Sequence, residues 1–128
     1  MYQYLHEDLD KNYSIIHALD GYDEISLTGK TKIISNKEEY IATPNHFGLP
    51  TYQAQDIFGG DTIESAAAIF VNVLNNESTQ AQKDVVIANS AVAIQCFDQS
   101  KAIEACVAEA RESIESGRAK ESLNKIIA

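Results

Sequence analysis

Basic residues are scarce in this chain. Lys and Arg number 10 against 19 Asp and Glu, a formal net charge of −9 over 128 residues. That balance denies the chain the basic patch that binding to phosphate backbones requires, so no nucleic-acid partner is expected. Long apolar runs are missing as well. No stretch reaches the roughly 18 consecutive apolar residues of a membrane-spanning helix, so no membrane partner is expected. The first ten residues have neither a basic lead nor an apolar centre, which argues against a secretory signal and for a cytoplasmic location. With only 6 Gly and 2 Pro, long loops should be few. Cys96 and Cys106 are the only cysteines. Both lie in apolar helical patterns, without further Cys or His at metal-site spacing, and read as buried thiols in a reducing compartment.

What is present suits a packed domain. Apolar residues make up 45% of the chain, well above a disordered composition. The length fits a single domain spanning 1–128. Residues 2–9 read as the end of a helix, with Tyr2, Leu5 and Leu9 on one side. Residues 13–19 are rich in β-formers and read as a strand. Asp20-Gly21 is a turn signal, and residues 25–27 suit a short strand. Residues 31–35 and 40–43 bracket Asn36-Lys37-Glu38 and read as a hairpin. Residues 44–60 are loop-like.

Helical signals then take over. Asp61 with Glu64 has the spacing of a capping box and would open a helix to about Asn75, with Ile63, Ala67, Phe70, Val71 and Leu74 inward. Thr79 with Gln82 is a second such box. It opens a helix so apolar between Val85 and Phe97 that it should be the most buried. Asn89 inside it must find hydrogen-bond partners, and both a structural and a ligand-binding role are open to it. Residues 100–116 give a third helix, with Ile103, Cys106, Val107, Ala110 and Ile114 inward and Gly117 at its C′ position. Residues 118–127 give a last one, with Ala119, Leu123, Ile126 and Ile127 inward. The expected fold class is α/β: a small mixed β-sheet from the N-terminal half, covered by C-terminal helices.

Gly21-Tyr22-Asp23-Glu24-Ile25-Ser26-Leu27-Thr28-Gly29 is the stretch with the most chemical content. Two adjacent carboxylates, Asp23 and Glu24, repel each other unless a positive charge lies beside them. Hard divalent cations such as Mg²⁺ are held in this way, by one or two carboxylates plus waters and substrate phosphates. The same pair also reads as two solvated acids in a polar turn. His17 reads as a strand residue rather than a ligand, and neither His6 nor His46 has an identifiable partner. Thr28-Gly29-Lys30-Thr31 lacks the spacing of a phosphate loop.

The run from His17 to Gly29 resembles the acidic-pair region of the anthranilate phosphoribosyltransferase family. Thr43-Pro44-Asn45-His46-Phe47-Gly48-Leu49 resembles that family's Thr-Pro-x-x-Phe-Gly-Leu loop. Gly59-Gly60-Asp61 with Glu64 resembles its Gly-Gly-Asp-x-x-Glu helix start. Residues 84–91 resemble Asp-x-Val-x-x-Asn-Ala-Ala, and residues 110–119 resemble Ala-x-x-Ala-Ile-x-Ser-Gly-x-Ala. Together, in order, these segments cover nearly the whole chain. Lys30 departs from the family's usual proline in a turn.

The resemblance implies that the chain is a C-terminal part of the family's large α/β domain. The N-terminal helical domain and the glycine-rich pyrophosphate loop of the family would lie upstream; Gly59-Gly60-Asp61 is not that loop. It implies Mg²⁺ as cofactor, held by Asp23 and Glu24, and phosphoribosyl pyrophosphate and anthranilate as substrates of the intact enzyme in tryptophan biosynthesis. On an acidic protein such an ion would supply the positive charge that a polyanionic substrate needs. No catalytic side chain is identified, and no residues are assigned to substrate binding. By itself the 128-residue chain should be inactive and, with a bared sheet edge and apolar faces, should form homo-oligomers. Its alternative is a non-catalytic, self-associating interaction module derived from the same family.

Overall fold

The computed structural model describes residues 11–128, so the helix end expected over residues 2–9 lies outside the described residues. Three strands come first: β1 (Ser14–Ala18), β2 (Thr31–Ser35) and β3 (Glu39–Ala42). They form one sheet in the order β1-β2-β3, antiparallel throughout rather than mixed, with Ile16 opposite Ile33 and Ile33 opposite Tyr40. The period-two alternation sorts the faces. Thr31 and Ile33 point into the core, whereas Lys32 points out and pairs with Glu39 at 2.6 Å. His17 sits opposite Lys32 and is exposed, in keeping with a strand residue.

Two short 3-10 turns, Pro44–Phe47 and Ala54–Ile57, carry the chain to the helices. These are α1 (Ile63–Leu74), α2 (Gln80–Phe97), α3 (Ile103–Glu115) and α4 (Arg118–Ile127). The α/β class expected from the sequence holds. Helix α2 is the centre of the molecule. Its Ile87, Ala88 and Ala91 are fully buried, and the small alanines allow close approach of α3, its principal helical partner. Helix α3 presents the expected face, with Ile103, Cys106, Val107, Ala110 and Ile114 all buried. Gly117 follows with φ +84°, a left-handed conformation that any other residue would hold under strain. Ile25, Leu27, Ile33, Phe47 and Leu49 complete the core from the sheet side.

Three features of the helices differ from expectation. Helix α1 is capped one residue later than Asp61. Thr62 accepts from the Ser65 amide at 3.1 Å, and Ser65 Oγ accepts from the Thr62 amide at 3.1 Å. Threonine is also a favoured N-cap, and Ser65 completes the reciprocal pair that Glu64 would otherwise have made. The α1 apolar face is also not inward: only Val73 is buried, while Ile63 is 85% and Phe70 54% exposed. The helical period is right, but no described residue covers that side. For the same reason Ile126 and Ile127, beyond the last turn that α4 packs, are exposed.

Candidate functional site

The acidic pair stands on a loop that is pinned at both ends. On the β1 side, the Leu19 amide donates to the Lys30 carbonyl at 2.8 Å, extending the β1–β2 ladder past the strand end. The Ala18 amide donates to the Tyr22 carbonyl, and the Gly21 amide to the Ala18 carbonyl, both at 3.2 Å, closing a tight turn with Gly21 at φ +101°. Asp20 braces this turn from inside. Its carboxylate accepts from the Ser26 hydroxyl at 3.4 Å and from the Thr28 hydroxyl. Gly29 lies against it, since a Cβ there would come within 3.2 Å of Asp20 Oδ2.

On the other side, residues 25–27 are buried but do not form the expected strand. Their backbone groups are satisfied one by one instead of by a ladder. Asn89 Oδ1 accepts from the Ile25 amide at 3.0 Å, and Asn89 Nδ2 donates to the Ile25 carbonyl at 2.9 Å. The second Nδ2 hydrogen goes to the Val85 carbonyl, also at 2.9 Å. The Leu27 carbonyl accepts from the Tyr52 amide at 2.9 Å. Leu27 itself is 1% exposed with φ +60°, a conformation that costs a non-glycine residue about 1 kcal/mol or more and tends to mark functional loops.

Between these anchors Asp23 and Glu24 are exposed and adjacent. Among the described residues no third His, Cys, Asp or Glu joins them in a metal-sized cluster. Glu24 lies on the rim of an apolar groove of about 300 Å³, whose walls are Phe58, Ile69, Phe70, Val73 and Val85. Neither His17 nor His46 approaches the pair: His17 faces outward from β1, and the His46 ring lies 5.2 Å from those of Tyr40 and Phe47.

A second polar cluster braces the loop after β3, and sequence reasoning did not find it. Asp84, 2% exposed on α2, accepts from the Tyr52 hydroxyl at 2.7 Å, from Gln80 Nε2 at 2.8 Å and from Arg111 Nη2 at 3.3 Å. Burial, and then the hydrogen bond donated to Asp84, push the Tyr52 phenol up to about 12. The sequence signals were an aspartate at the start of the apolar stretch of α2 and its place in the Asp-x-Val-x-x-Asn-Ala-Ala match, and neither names its partners.

This arrangement, an antiparallel hairpin leading through two loops to four helices with an acidic turn tied to the central one, has known counterparts. The family described as "Glycosyl transferase family, a/b domain" matches residues 3–120. The chain belongs to this family. It is 48% identical over 127 residues to anthranilate phosphoribosyltransferase of Cytophaga hutchinsonii, a match covering 99% of this chain and 39% of that protein. It is 47% identical over 127 residues to the Bacteroides thetaiotaomicron enzyme of the same name, covering 99% and 38%. The chain thus spans about two fifths of the length of the curated relatives it matches. Among solved structures, it is similar to anthranilate phosphoribosyltransferase from Thermus thermophilus at a TM-score of 0.78 and 26% identity, over 89% of this chain and 34% of that one. It is also similar to the Saccharomyces cerevisiae enzyme in complex with PRPP and Mg, at a TM-score of 0.77 and 25% identity, over 88% and 32%.

Proposed function

We propose that this chain carries the metal-binding carboxylates of an anthranilate phosphoribosyltransferase, a glycosyltransferase of tryptophan biosynthesis that acts in the cytoplasm. The reaction breaks the bond between ribose C1 and pyrophosphate in phosphoribosyl pyrophosphate and forms a bond from C1 to the anthranilate nitrogen. Negative charge builds on the departing pyrophosphate, and a Mg²⁺ ion bound beside it would supply the positive charge that stabilises it. Asp23 and Glu24 would hold the ion. The observation that carries this reading is their setting: two exposed oxygen-donor side chains on a turn anchored at Ala18, Asp20 and Ile25. The donor set suits a hard cation that keeps most of its water shell and completes it with substrate oxygens. The PRPP and Mg of the yeast relative support the same assignment. No described side chain is needed as nucleophile or base if positioning and charge stabilisation supply the rate.

The relatives' greater length supports the expectation that the 128-residue chain is inactive by itself. A second reading, the non-catalytic self-associating module, is favoured by the exposed apolar residues Ile63, Phe70 and Val71 of α1 together with Phe58 and Val86. Homo-oligomers would form under either reading. The two are separated by assaying phosphoribosyl-anthranilate formation with Mg²⁺, first by the chain alone and then after mixing with the remaining portion of the Cytophaga relative. Activity only in the mixture supports the enzyme reading. A folded oligomer that stays inactive in both supports the module.

A further inference from the structure

We infer that Asn89 is a positioning residue for the acidic pair, setting the aim of Glu24 through the peptide that joins it to Ile25. This rests on the metal reading of Asp23 and Glu24 and adds the group that holds them in place. The amide N–H of Ile25 belongs to the Glu24–Ile25 peptide, and it donates to Asn89 Oδ1 at 3.0 Å. The Ile25 carbonyl accepts from Asn89 Nδ2 at 2.9 Å. A side-chain amide thereby does for one residue what a neighbouring strand does for a ladder, across 64 positions of sequence.

The clamp has one solution. Both Nδ2 hydrogens are committed, to Ile25 and to Val85, and Oδ1 faces a donor. Turning the amide over would set N–H against N–H and carbonyl against carbonyl. Aspartate keeps the acceptor and loses both donors, and alanine loses all three bonds. The helix that carries the clamp is the most deeply packed element, with Ile87, Ala88 and Ala91 fully buried on either side of position 89. An exposed turn thus borrows the rigidity of the core at the peptide adjoining its carboxylates. Partners of this kind, which orient a ligand without touching the metal, commonly govern metal affinity.

The test uses the chain as it is, with Mn²⁺ as the probe, and follows paramagnetic broadening of the Asp23 and Glu24 amide resonances. In the unaltered chain these resonances should broaden first, and Asp23→Asn with Glu24→Gln should abolish the effect. Asn89→Ala should weaken the Mn²⁺ midpoint by about tenfold, with Asn89→Asp in between. Asp84→Asn is the control: it disturbs the other buried cluster on the same helix and should lower the melting temperature while leaving the midpoint unchanged. If Asn89→Ala does not fold, Asn89→Asp, which keeps the side-chain volume, carries the comparison. Equal midpoints in folded Asn89 variants and the unaltered chain would overturn the inference while the metal reading stands. A matching loss in Asp84→Asn would also overturn it, since the effect would then be general loosening. Absence of selective broadening in the unaltered chain would remove the metal reading, and this inference with it.

Discussion

Asp84 takes three hydrogen bonds in a position that is 2% exposed, and every donor comes from a different part of the fold: Tyr52 from the loop after β3, Gln80 from the first turn of α2, Arg111 from α3. Removing a buried acceptor strands its donors. Because Arg111 is a third exposed and can rehydrate, Asp84→Ala should cost roughly 2 kcal/mol rather than the larger penalty of a fully buried pair, read from urea unfolding. Tyr52 makes a separate prediction. Its folded-state value near 12 lies above the ordinary 10.0. The folded state therefore favours the neutral phenol, and the resulting stability is complete below pH 10 and lost as pH rises toward 12. Tyr52→Phe should flatten that alkaline loss, and tyrosinate absorbance should lose a late-ionising phenol in that variant while Tyr40, also raised by burial and by Glu38, still ionises late.

The segment 25–27 and helix α1 show which elements the sequence made legible. Residues 31–35, 39–42, 80–97, 103–115 and 118–127 follow from alternation, helical spacing and caps, and their boundaries were readable within a few residues. Residues 25–27 carry β-formers yet form no ladder, because their partners are the Asn89 side chain and the Tyr52 amide, distant in sequence. The same long-range contacts hid the clamp: Asn89 could be seen to need partners, but not which. The carboxylates Asp23 and Glu24 were legible as a pair, while their braces Asp20, Ser26 and Thr28 were not, since a turn aspartate and two hydroxyls have no distinguishing spacing. Helix α1 showed its apolar period, but periodicity says that a face is apolar, not that anything covers it. A contrast follows. Ile87→Ala, in a fully buried position, should cost about 2–5 kcal/mol, whereas Ile63→Ser, in a position 85% exposed, should stay within about 0.5 kcal/mol, both by chemical denaturation.

At the scale of the molecule, two properties pull against each other. A net charge of −9 favours dispersal, while the exposed apolar residues along α1 and the adjoining groove favour association. Phe70→Ser with Ile63→Ser should therefore shift sedimentation toward monomer with little change in stability, and raising the salt concentration should strengthen association of the unaltered chain by screening its charge. The same apolar side borders Glu24, so whatever covers it also adjoins the acidic turn. The metal role of Asp23 and Glu24 is tested most directly in a chimera in which this chain replaces the matching segment of the Cytophaga relative, assayed for Mg²⁺-dependent phosphoribosyl-anthranilate formation. The chimera should be active, and introducing Asp23→Asn and Glu24→Gln together should lower its kcat/KM by at least about a hundredfold, or roughly 2.7 kcal/mol. Full activity in that double variant would rule out the metal role of the pair.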